Sequence, residues 1–166
     1  MKMMHALGCS LLLVTVVFAQ RPSQGAQALI GTWRLVEFAD LGKDGKWQYW
    51  YGEHPRGYFV YDATGHVHVE IMKNPPLAPF PESNFDAGKM PSPEHALAAY
   101  ATYLAYFGTY TVDTKKHVVT IHVEGSLAPD YTDTDQPRPY KLEGDRLEIS
   151  DGKTWRRVAG ACALIL

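Results

Sequence analysis

With 166 residues, 46% of them hydrophobic and 20% charged, the chain has the makeup of one globular domain with a buried core, which excludes extended disorder. A formal charge of -2 and the lack of any Lys/Arg run exclude the basic stripe that nucleic-acid binding needs, so no nucleic-acid partner is expected. The 10 Tyr and 4 Trp favour strands, because aromatic side chains suit a pleated, half-buried surface.

The N-terminus reads as an export signal. Lys2 supplies the positive end, and residues 11–18 form an apolar run too short to span a bilayer in a mature protein. Small residues suited to cleavage follow at Val17-Phe18-Ala19 and Ala26-Gln27-Ala28. Residues 1–28 are expected to be a signal peptide and short leader, and 29–166 the folded domain of an exported (periplasmic or secreted) protein with no stable membrane span after cleavage. Removing the leader removes Cys9 and leaves Cys162 alone, so no intramolecular disulfide is expected.

The rest reads as short β-segments separated by turns. Residues 29–38 open the fold, and Asp44-Gly45 is a hairpin pair before a second segment at 47–51. Residues 56–61 follow, then Asp62-Ala63-Thr64-Gly65 turns the chain into a fourth strand. There Val67, Val69 and Ile71 alternate with His66, His68 and Glu70 at period two. Residues 74–93 are crowded with proline, which suits neither a central strand nor a helix interior. A helix start comes next: Ser92 as cap, Pro93 in the first turn and Glu94 at the positive end of the dipole. Leu97, Tyr100, Ala101 and Leu104 share one face, so a helix is expected over 93–105.

Strands resume at 107–112 and 118–124 around Asp113-Thr114-Lys115-Lys116, then at 139–142, 146–150 and 154–158. About eight strands with mostly hairpin-length links predict an all-β, antiparallel up-and-down barrel, because closure removes the unpaired edges of an open sheet. An eight-stranded barrel either fills its interior with side chains or holds one small ligand. The long break at 72–104 is expected to be a lid, with its helix burying the Leu97 face over the barrel mouth.

Gly31-Thr32-Trp33 resembles the Gly-x-Trp signature of lipocalins, and Trp155-Arg156-Arg157 is placed to supply the Arg that packs across that Trp in the family. A longer set of words runs in order: Gly31-Thr32-Trp33-Arg34-Leu35-Val36, Pro55-Arg56-Gly57-Tyr58 with Tyr61, Tyr106-Phe107-Gly108-Thr109-Tyr110, His122-Val123-Glu124-Gly125-Ser126-Leu127, Asp135-Gln136 and Arg146-Leu147. Through these words nearly the whole mature chain resembles the lipocalin-like domains of bacterial and fungal proteins. It departs from them in the His-rich fourth strand and the apolar tail at 161–166. The resemblance implies the barrel and leaves activity open, although a few relatives in natural-product pathways assist cyclisations.

Several polar groups carry candidate chemistry. His66, His68 and Glu70 share a strand face, where two imidazoles can share a metal ion that a carboxylate completes. The spacing defines no four-ligand set, and the same pattern describes a solvated outer face, so no metal and no cofactor are expected. His122 and Glu124 share a face with Thr120 and Ser126. If that face lines the lumen, His122 can exchange a proton near neutral pH with Glu124 tuning it; otherwise the pair bonds loop backbone. Arg56 and Tyr58 can reach a ligand carboxylate or carbonyl, or Arg56 can pair with Glu53 or Asp62. No Gly-x-Ser-x-Gly elbow, phosphate loop or dinucleotide fingerprint occurs. Two functions follow as expectations. One is a binding barrel for a small hydrophobic molecule, contacted by Arg56, Tyr58, Tyr100, Tyr103, Phe107 and His122. The other is a cofactor-independent isomerase or cyclase acting on such a molecule, with His122 and Glu124 as acid and base. A barrel with a filled interior and a structural role is the third possibility.

Overall fold

The structure, a computed structural model, describes residues 24–158. Residues 1–23 of the expected leader, with Cys9, lie outside the described residues, as do Cys162 and the tail at 161–166. A short helix α1 (Gln24–Gln27) precedes β1 (Gly31–Phe38), and a small hairpin of β2 (Asp40–Leu41) and β3 (Trp47–Gln48) follows. Then come β4 (Arg56–Tyr61), β5 (His66–Met72), α2 (Pro93–Ala101), β6 (Tyr103–Asp113), β7 (Val118–Ser126), β8 (Thr134–Glu143), β9 (Arg146–Ile149) and β10 (Lys153–Arg157). β4 to β10 pair in sequence order, and β1 closes the antiparallel barrel between β10 and β4. The eight-stranded barrel is therefore as expected, with one difference: the segment at 47–51 is not a barrel strand. Its first two residues pair with β2 outside the barrel, Asp40 with Gln48 and Leu41 with Trp47.

Period-two alternation sets the two faces. On β5, Val67, Val69 and Ile71 are buried while His66, His68 and Glu70 are exposed. Phe59 and Tyr61 point inward from β4, Tyr106 and Tyr110 from β6, Val119, Ile121 and Val123 from β7, and Leu147 and Ile149 from β9. A bulge interrupts β7: Phe107 pairs with Gly125 and Gly108 with Val123, which leaves Glu124 extra. Gly108 permits this approach, since a Cβ there would stand 1.9 Å from the His122 carbonyl oxygen.

Two boundaries differ from the sequence reading. The helix stops at Ala101 because Tyr103, Leu104 and Ala105 pair with Met72, Ile71 and Glu70; the sheet captures residues that fit a helical face equally well. β8 begins at Thr134 and carries Pro137 and Pro139. The prolines are tolerated because β8 pairs with β9 only from Tyr140 onward. The Pro139 carbonyl accepts from Ser150 N–H, so the missing Pro139 donor faces that side, away from β7.

The closed end is built on Trp33, fully buried under the Arg157 guanidinium, whose Cζ stands 4.0 Å from the ring centroid. Arg157 donates to the carbonyls of Ile30 and Ala28 at 2.6 Å each, and Trp33 Nε1 donates to Leu29 O at 2.8 Å. Gly31 sits at φ 138°, and a Cβ there would meet Arg157 Nη1 at 2.8 Å. The glycine of the Gly-x-Trp word thus leaves room for the arginine that seals the barrel.

Candidate functional site

The lower half of the lumen is packed with Trp33, Tyr61, Val67, Val119, Ile121 and Leu147, each fully or almost fully buried. The upper half is hollow. A cavity of about 360 Å³ opens towards the end where the long loops lie, with an apolar wall of Phe59, Val69, Ile71, Ile149 and Trp155. Its rim is formed by Phe38, Leu104 and Tyr131, and its charged groups are Asp40, Arg138 and Lys153. Phe59 stands edge-on to Trp155 with ring centroids 5.2 Å apart, and Tyr106 meets Tyr131 at 5.6 Å.

Arg138 enters the lumen because Thr134, Gln136, Arg138 and Tyr140 hold the inward positions of β8, while Asp135, Pro137 and Pro139 are exposed. Its guanidinium donates to the Tyr131 hydroxyl and, at 2.9 Å, to Gln136 Oε1. Among the described residues no carboxylate lies within ion-pair distance of it. Lys153 is paired with Asp40 and stands over the Phe38 ring, 4.8 Å from its centroid. Two buried donors find no partner among the described residues: the Trp155 indole N–H, on the cavity wall, and the Tyr61 hydroxyl beneath it. A buried polar group left unpaired costs about 1–3 kcal/mol. Burial raises the Tyr61 and Tyr106 phenols well above their ordinary range, so both stay neutral.

The structure gathers a different set of residues from the one the sequence suggests. Arg56, Tyr58, Phe107, His122 and Glu124 face outward, because Phe59, Tyr106, Ile121 and Val123 occupy the inward positions beside them. His122 bonds Asp135 across the strands, its Nδ1 2.9 Å from Oδ1, and both are largely exposed. That corrects the expectation of His122 at a lumen ligand, and of His122 with Glu124 as an acid–base pair there. Tyr58 instead accepts a 3.3 Å hydrogen bond from Arg34 on the outer wall. Tyr100 and Tyr103 line a separate hollow of about 250 Å³ beside the mouth, which shares Leu104 with the main cavity.

The lid expectation needs a similar correction. Ser92 caps α2 as expected, accepting from His95 N–H, with Pro93 in the first turn. No residue of α2 is buried, and Leu97 is 67% exposed. The helix leans on β6 and reaches the side hollow through Tyr100 and Ala101; the mouth itself is rimmed by other residues. The Pro-rich stretch clasps the helix start instead: Glu82 accepts from Ser92 N–H and holds His95, and Phe80 stacks on the His95 ring at 4.3 Å.

His66, His68 and Glu70 stand on the outer face, with His66 bonded to Thr64 Oγ1 at 2.7 Å. Among the described residues no group of three or more His, Cys, Asp or Glu is arranged to hold a metal ion. A larger hollow of about 620 Å³ lies in the notch between the β6–β7 turn and the β8–β9 hairpin. It is open to solvent and ringed by Lys116, Lys141, Glu143 and Asp151, whereas the lumen cavity has an apolar wall, so the lumen is the better candidate.

A closed antiparallel barrel of eight strands, sealed at one end by a Trp–Arg stack and hollow at the other, defines a container protein of the lipocalin kind. The chain matches the Lipocalin-like domain family over residues 30–160 and belongs to that family. No curated protein matches it.

Proposed function

We propose that this is an exported binding protein that takes one small hydrophobic molecule into the upper half of its lumen. The observation that carries the reading is the division of the interior, packed below and hollow above, where about 360 Å³ is walled by Phe59, Val69, Ile71, Ile149 and Trp155. That volume lies within the usual range for small-molecule sites, and apolar walls with a few convergent polar groups are their usual composition. Export is supported by Lys2 and the short apolar run at 11–18. An isomerase or cyclase in the same cavity would have to draw on its polar lining, Asp40, Tyr106, Tyr131, Arg138, Ser150 and Lys153, since His122 and Glu124 stand on the far side of the wall.

The test is a fluorescence titration with N-phenyl-1-naphthylamine, a neutral dye that brightens in apolar surroundings. One-to-one binding by the native protein is expected, and Val69→Trp, which grows a side chain into the cavity, is expected to abolish it. Dye binding undiminished in a folded Val69→Trp variant, or no binding by the native protein, refutes the reading.

A further inference from the structure

We propose that the molecule held in the lumen is an amphipathic organic anion: an apolar body carrying one oxyanion group, of carboxylate or sulfonate type, which the Arg138 guanidinium receives. This deepens the ligand-binding reading and rests on it. Arg138 is a partly buried cation whose side-chain partners are neutral: Tyr131, Gln136 and the Pro137 carbonyl. The other charged groups of the cavity, Lys153 and Asp40, are engaged with each other, so the lining carries one surplus positive charge, and Arg138 bears it. Removing a charge from water is costly unless a counter-charge meets it, and a guanidinium presents paired N–H groups that match an oxyanion.

The neighbouring phenol points the same way. Tyr131 accepts from Arg138, which leaves its own hydroxyl hydrogen free for a ligand oxygen. A guanidinium and a phenol are both donors, and acceptor oxygens satisfy both. The apolar wall of Phe59, Val69, Ile71 and Ile149 asks for a hydrocarbon body, which an inorganic anion lacks. One cation calls for one negative charge, since a dianion would leave a second charge uncompensated among apolar side chains.

The experiment compares two dyes that differ by one group, the neutral N-phenyl-1-naphthylamine and its 8-sulfonate. The native protein is expected to bind the sulfonate roughly tenfold more tightly or better, the scale of one charge-assisted hydrogen bond. Arg138→Gln is expected to remove that preference, read as the ratio of the two dye affinities within the variant, and Arg138→Lys to keep part of it. Octanoate is expected to displace either dye from the native protein at lower concentration than octan-1-ol does. Equal affinity for the two dyes, or an Arg138→Gln variant that keeps the preference, overturns the proposal and leaves the apolar cavity standing. Failure of both dyes to bind overturns the cavity reading itself. Thermal unfolding of each variant is recorded alongside. If Arg138→Gln does not fold, the octanoate comparison on the native protein decides, with equal displacement by octan-1-ol counting against the anion.

Discussion

Replacing Trp33 by Ala tests the physical account of the closed end. Trp33 is fully buried, its indole N–H donates to Leu29 O at 2.8 Å, and its face lies 4.0 Å from the Arg157 Cζ. An aromatic side chain of this size buries roughly 150–250 Å², worth about 4–6 kcal/mol at 25 cal/mol per Å² before the cavity relaxes. Measured Trp→Ala changes in cores cost about 3–5 kcal/mol, and that is the loss expected here. A small domain has about 5–15 kcal/mol in all, so the variant should remain folded but marginal. With a urea m-value of about 1.5–2 kcal/mol/M, the unfolding midpoint should fall by roughly 2 M. A double-mutant cycle with Arg157→Met should isolate about 0.5–2 kcal/mol of coupling for the stack. A loss below about 1 kcal/mol for Trp33→Ala, or no coupling to Arg157, would show that the Gly-x-Trp and Trp-Arg-Arg words do not seal the barrel.

Three further outcomes follow from the same geometry. His122→Ala should leave dye affinity within about twofold and stability within about 1 kcal/mol, because the His122–Asp135 pair is exposed; a large loss of binding by titration would return that pair to the site. The Glu82 carboxyl is held down at about 2 by its hydrogen bonds to His95 and to the Ser92 N–H. A depressed carboxyl stabilises above its unfolded value near 4.5 and loses that contribution as pH falls towards 2. Amide-exchange protection at Ser92 and His95 should therefore decline across that window, and Glu82→Gln should flatten the dependence. If the chain is exported as proposed, mass spectrometry should find the mature form starting after Ala19, because cleavage after Ala28 would remove Ala26, which is buried in the core cluster; a start at Leu29 would contradict this.

The barrel was legible because β5 alternates without a break and because the hairpin turns are short, so closure follows from the edges an open sheet would leave. The seal was legible in two words at opposite ends of the chain. The cavity was not, for a physical reason: aromatic and charged residues near turns draw attention whichever way they point, and a slip of one position reverses the face. Phe59 and Tyr61 hold the inward side of β4, so Tyr58, one position before Phe59, had to point out. Arg138 was missed because the strand expected over 139–142 began one residue after it, whereas β8 runs from Thr134 through Pro137 and Pro139, pairing with β9 only from Tyr140. Counting back by twos from Tyr140 would have placed Arg138, Gln136 and Thr134 in the lumen. The helix misled in the other direction, since the face of Leu97 and Tyr100 has helical spacing yet stays exposed.

The most direct test of the container reading is a methyl-resolved NMR titration of the native protein with N-phenyl-1-naphthylamine. The methyl groups of Val69, Ile71 and Ile149, on the cavity wall, should shift most, and those of Val119 and Ile121, in the packed half, much less. The largest shifts falling instead on outward Val36 or Val60, or no shift at saturating dye, would contradict it.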